Sequence, residues 1–115
     1  MFEVSAGPCV RTDDPGRWQA SWRLRAVDDP VQVLEAWLPH DHFHRPRWRF
    51  NPPLIVDDVL LEAEVACQDL PGSVIENAFL ILRTPDRRVF ARLTIVVDGA
   101  GVPRQQCEAV TVQEV

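Results

Sequence analysis

Lysine is absent from this chain and so is tyrosine: all 12 basic residues are arginine, and the benzenoid and indole rings come from five Phe and four Trp. Without an amine side chain no Schiff base forms, no P-loop lysine holds a phosphate and no lysine serves as a general base. Without a phenol, tyrosyl acid–base chemistry is excluded as well. Cysteine is scarce and odd in number. Cys9, Cys67 and Cys107 are widely spaced, with no C-x-x-C pair, and read as reduced thiols that pack as small hydrophobes. No run of about 20 apolar residues spans a bilayer. The first residues, Phe2 to Pro8, carry an early acid and neither a basic nor an apolar leader region, so the expected location is cytoplasmic and no membrane partner is expected.

What is present is an ordinary globular composition, 46% apolar and 25% charged over 115 residues, which suits one domain over 1–115. The net charge of −5 argues against nucleic acid as a partner.

Hydrophobic alternation dominates the pattern. Trp18, Ala20, Trp22, Leu24 and Ala26 share one parity, while Arg17, Gln19, Ser21, Arg23 and Arg25 share the other, the period of a strand with one wet face. Phe2, Val4 and Ala6 suggest an earlier strand, with a turn at Asp13, Asp14, Pro15 and Gly16 between the two. Near the other end, Val89, Ala91, Leu93, Ile95 and Val97 alternate in the same way. Residues 74–84 are apolar on both faces (Ala78, Leu80, Leu82 against Phe79 and Ile81), which predicts a central strand. Turn residues at 85–87 and 98–101 divide the last 40 or so residues into a three-stranded antiparallel meander, its final strand pointing Val110 and Val112 inward.

Two segments are ambiguous. Asp29, Pro30 and Gln32 resemble a capped helix start over 30–38, but only about two turns fit before Pro39, too few for a stable helix. Asp57 and Asp58 could cap a helix over 58–67, yet Leu61, Ala63, Val65 and Cys67 alternate with Glu62 and Glu64. The strand reading is preferred at both. The expected fold is therefore all-β: seven to eight short strands whose turn spacing resembles an immunoglobulin-like antiparallel β-sandwich. The alternative is an α+β domain with helices at 30–38 and 58–67. The Cys9, Trp22, Cys67 spacing superficially resembles that of antibody domains. However, only eight residues precede Cys9 and 48 follow Cys67, where that layout needs a full strand before the first and one strand after the second.

One segment stands apart chemically. Residues 37–50 hold all three His, three Arg and two of the four Trp within an acidic chain. In extended backbone His40, His42 and His44 would lie on one side, with neighbouring Cα atoms roughly 6.5–7 Å apart. Two imidazoles at that spacing can grip Zn²⁺ or Cu²⁺, and a third on the same strand lies too far away to share the ion. Arg45, Arg47 and Arg49 alternate with Pro46, Trp48 and Phe50, so a strand here would present a guanidinium row outward and aromatics inward. Such a row suits carboxylates or phosphates on a partner.

No serine lies in a G-x-S-x-G elbow, and the acidic pairs at 13–14, 28–29 and 57–58 read as turns or caps rather than Ca²⁺ ligands. Cys9 as a nucleophile has only Arg11 nearby in sequence. The expected function is a non-enzymatic binding or protein-interaction module without a cofactor, its partner another protein or a second copy. Its contact surface comprises Trp37, His40, His42, His44, Arg45, Arg47, Trp48 and Arg49. The alternative is a Zn- or Cu-binding domain centred on His40, His42 and His44.

Overall fold

The computed structural model describes residues 2–114, and every regular element in it is a β-strand. Eight strands follow in order: β1 (Phe2–Arg11), β2 (Arg17–Ala26), β3 (Val31–His40), β4 (Phe43–Val56), β5 (Asp58–Ala66), β6 (Val74–Arg83), β7 (Arg87–Val97) and β8 (Pro103–Glu114). All pairings are antiparallel, in the order β1-β2-β5-β4-β3-β6-β7-β8. Both ambiguous segments are strands, so the helices considered at 30–38 and 58–67 do not form. In β5 the alternation of Leu61, Ala63 and Val65 with Glu62 and Glu64 decides the matter, because a pleat buries the first set and wets the second.

The two-sheet, immunoglobulin-like arrangement expected from the pattern gives way to one continuous eight-stranded sheet. The two terminal strands, β1 and β8, come close without forming a ladder, so the sheet curls into a nearly closed barrel. Period-2 alternation could not distinguish the two, since either architecture demands one apolar face per strand. Inside lie Trp22, Leu24, Val33, Leu38, Phe43, Leu80, Leu82, Leu93 and Ile95, all fully buried.

Side chains bridge the gap between β1 and β8. The Trp22 indole N–H donates to Gln105 Oε1 (2.7 Å), and the Gln105 amide donates to the carbonyls of Ser21 (2.9 Å) and Gly7 (3.1 Å). Gly7 sits at the register shift of β1, where a Cβ would fall 2.3 Å from Ser21 Oγ, so the close approach requires glycine. Arg11 donates to the Ala100 carbonyl (2.7 Å), tying β1 to the β7–β8 turn. That turn is built by Asp98, whose Oδ1 accepts from the N–H groups of Ala100 and Val102, with Gly101 at a φ of 80°.

The final meander forms as expected, with β6 central between β3 and β7. Val110 packs against the core, while Val112 lies nearer the strand end and is largely exposed. No described residue is helical, so among them no helix is long and apolar enough to cross a membrane.

Candidate binding face

The segment 37–50 folds as the β3–β4 hairpin, and its geometry departs from a plain alternating strand in two ways. First, the chain reverses at Asp41 and His42, so His40 and His44 belong to different strands. His40 pairs with Phe43, which is fully buried, whereas His44 pairs with the exposed Pro39. Paired residues share a face, so His40 and His44 lie on opposite faces. The expected alignment of His40, His42 and His44 on one side does not occur. His42 instead donates its backbone N–H to His40 Nδ1 (3.0 Å), and its ring Nδ1 meets Asp69 Oδ1 at 2.9 Å, pinning the hairpin tip to the loop after β5. Among the described residues no group of three or more His, Cys, Asp or Glu is placed to hold one metal ion.

Second, β4 carries one extra residue between Arg45, opposite Leu38, and Trp48, opposite Ala36. That bulge inverts the parity of Arg45. The expected outward row of Arg45, Arg47 and Arg49 is therefore split: Arg45 turns to the inner side with Leu38, while Arg47 and Arg49 remain outside. Arg45 stacks on the Trp48 ring (4.5 Å) and donates to the Glu64 carbonyl (3.3 Å), and its buried Nε finds no partner. Trp48 and Phe50 meet edge-to-face, 5.7 Å between ring centres, and pack against the core as the alternation predicts.

The outer face of the hairpin is organised by a residue that the sequence reading passed over. Glu35 is only 2% exposed, although it lies in a cross-strand row with charged neighbours, Arg49 on β4 and Arg83 on β6. Arg49 donates from Nε (3.2 Å) and Nη2 (3.0 Å) to Oε1, and Arg83 donates from Nε to Oε2 (2.8 Å). Arg47 Nη1 lies 4.0 Å from Oε2. The Arg83 hydrogen bond, opposed by burial and reinforced by Arg49, holds the Glu35 carboxyl below its ordinary range, so it is a carboxylate at neutral pH. One negative charge thus holds three positive ones. Arg83 in turn pairs with Arg88 on β7, which has no acid within 4.0 Å among the described residues.

Beside this basic row runs an apolar one. Trp37 pairs with Ile81, Ile81 with Phe90, and Phe79 meets Phe90 edge-on at 6.3 Å. The Arg47 guanidinium lies over Trp37, 4.2 Å from the ring centre. A hollow of about 300 Å³ opens next to the row, lined by Leu34, Arg49, Phe50, Asn51, Pro53 and Arg83. A larger one of about 440 Å³ lies on β1, β2 and β5, but its one cation, Arg23, is already paired with Asp58 at 2.8 Å.

Two signals in the sequence pointed to these features. Glu35 is a lone acid within an apolar stretch and needs a partner if buried. Phe79 and Ile81 give β6 a second apolar face. The cysteines are all free thiols, and burial, with Cys67 nearby, pushes Cys9 up to about 12, far from a thiolate nucleophile at neutral pH. No protein-family model, curated protein or solved structure matches the chain.

Proposed function

We propose that this protein is a non-enzymatic interaction module that docks an acidic segment of a protein partner on the outer face of β3, β4, β6 and β7. The observation that carries this reading is the cluster around Glu35. A single buried carboxylate fixes Arg49 and Arg83 and draws Arg47 close, which leaves net positive charge on one face of an otherwise acidic molecule. Arg49 and Arg47 are 77% and 57% exposed, so most of their donors face solvent rather than Glu35. Guanidinium groups held in place lose less freedom on meeting a carboxylate than free ones do. Beside the charges, Trp37 and Phe90 are half-buried and flank the buried Ile81, so their accessible edges support a partner that sets a few apolar side chains among its acids. Of the residues singled out from the sequence, Trp37, Arg47 and Arg49 belong to this face. His40, His42 and His44 belong to the hairpin tip, and Arg45 and Trp48 to its support.

The test is fluorescence anisotropy of a labelled peptide that mixes Asp with Leu and Trp, against a control in which every Asp is Asn. Binding should weaken with added salt and fall at least about tenfold in the Arg47→Ser, Arg49→Ser double variant. Equal binding of both peptides, or indifference to the double substitution, removes the reading.

A further inference from the structure

The hollow beside the Glu35 row combines features that the rest of the face lacks. Arg49 and Arg83 form one wall, Leu34, Phe50 and Pro53 supply apolar surface, and Asn51 adds a neutral polar group. Each guanidinium carries five N–H donors. Arg49 uses two on Glu35 and Arg83 uses one, so both keep donors for a second anion. Glu35 cannot itself neutralise the wall, because its single charge is shared by three cations. A volume of about 300 Å³ stands at the small end of ligand pockets, too small for a nucleotide and sufficient for a ring or short chain bearing one acid group.

We propose that this hollow binds a carboxylate carried on a small apolar body, the acid group bridging Arg49 and Arg83 and the body resting on Leu34, Phe50 and Pro53. The assignment rests on the reading of the face as an anion-binding surface and gives it a ligand class. The carboxylate can belong to a free small acid or to the last residue of a peptide chain. Recognition in both cases is the same: a charge-assisted, fork-shaped contact with an apolar neighbour.

Calorimetric titration of the full chain with phenylacetate and with phenylacetamide tests the site. The acid should bind saturably and the amide at least about tenfold more weakly, since charge-assisted hydrogen bonds are lost. Arg49→Gln, at a largely exposed position, should weaken the acid by a similar factor while circular dichroism stays unchanged. Leu34→Trp fills the hollow without touching a charge and should abolish the acid's binding. Equal affinity for acid and amide overturns the assignment. So does no binding of either, or acid binding that survives Leu34→Trp.

A tripeptide ending in phenylalanine, with its terminus free or amidated, separates the two sources. Binding of the free form alone assigns a peptide terminus, binding of neither beside firm phenylacetate binding assigns a free acid, and equal binding of both overturns the carboxylate contact. The acidic peptide used for the whole face provides an independent reading. If it still binds Leu34→Trp while phenylacetate binds neither the parent nor the variant, the hollow fails and the face stands.

Discussion

The two halves of the sheet keep their ladders very differently. In the meander, β7 and β8 pair from Arg87 with Glu114 to Val97 with Pro103 with one register shift, and β6 and β7 also show one. In the hairpin, β3 and β4 shift twice. β4 then pairs with β5 at His44 and Ala66, and among the described residues no ladder joins those two strands beyond that position. A regular ladder commits each strand to one buried face, which is why Leu80, Leu82, Val89, Ala91, Leu93 and Ile95 are fully buried. An interrupted ladder lets one strand serve several surroundings. β4 sends Arg45, Trp48 and Phe50 inward and Arg47 and Arg49 outward within six residues' span. The strand also carries Pro46, Pro52 and Pro53, which lack the N–H that a foreign strand would pair with. The regular ladders lie in the meander, and the polar chemistry sits on the hairpin.

That contrast predicts unequal responses to truncation. Leu93→Ala removes a fully buried side chain from the meander and should cost about 2–5 kcal/mol in urea unfolding. Leu54→Ala, at a partly buried hairpin position, should cost about 1–2 kcal/mol. Equal costs would show that the hairpin is as firmly bound to the core as the meander. Between these lies the seam that joins β1 to β8. Gln105→Leu leaves the buried Trp22 N–H without its acceptor and the Gly7 and Ser21 carbonyls without their donor, for an expected loss of about 1–3 kcal/mol.

Acid separates the two regions again, because each has one carboxyl held below its ordinary value. Asp98 in the meander is held down first by the Val102 N–H and then by Arg104; Glu35 in the hairpin is held down first by Arg83. A depressed carboxyl contributes stability that is complete above its unfolded value, 3.8 for the Asp98 type and 4.5 for Glu35, and fades as pH falls through the lower folded value. The melting temperature should therefore drop below about pH 4.5, and Glu35→Gln should flatten the upper part of that drop and Asp98→Asn the lower. Two variants with unaltered acid limbs would remove both groups from the account. The alkaline limb has the opposite sign. Cys9 is raised from 9.0 to about 12, so its contribution is complete below pH 9 and lost as pH climbs toward 12, and Cys9→Ala should lessen that loss.

The meander was legible in the sequence because the alternation of β7 is unbroken and that of β6 holds from Ala78 to Leu82. Residues 88–98 and 74–84 showed which faces are buried, and the turn residues placed the reversals. The hairpin was not legible to the same depth. Parity is informative only while the register holds, and neither the extra residue between Arg45 and Trp48 nor the reversal at Asp41 and His42 changes composition. Both the guanidinium row and the imidazole row therefore came out differently from a straight strand. Closure into a barrel was equally hidden, since it depends on how Gln105 and Arg11 reach across to neighbours far away in sequence. The three-way pairing of Glu35 needed the lateral order β4-β3-β6, which no local pattern encodes.

The smallest expected effect on stability is also the sharpest separation of the two regions. Arg47→Ser and Arg49→Ser remove side chains that are mostly in water and uncover Glu35 Oε1, so that water replaces the donors it loses and the double variant should lose no more than about 1 kcal/mol. Glu35 keeps Arg83, its shortest contact at 2.8 Å, and so stays paired in the double variant. Capture of the acidic peptide should nonetheless fall at least about tenfold, because the removed groups are the exposed donors of the face. A control substitution outside the face, Arg25→Ser on β2, should leave peptide binding unchanged. Were Arg25→Ser to weaken the peptide as much as the hairpin pair does, the attraction would not be local to the Glu35 cluster and the organising role of Glu35 would be lost.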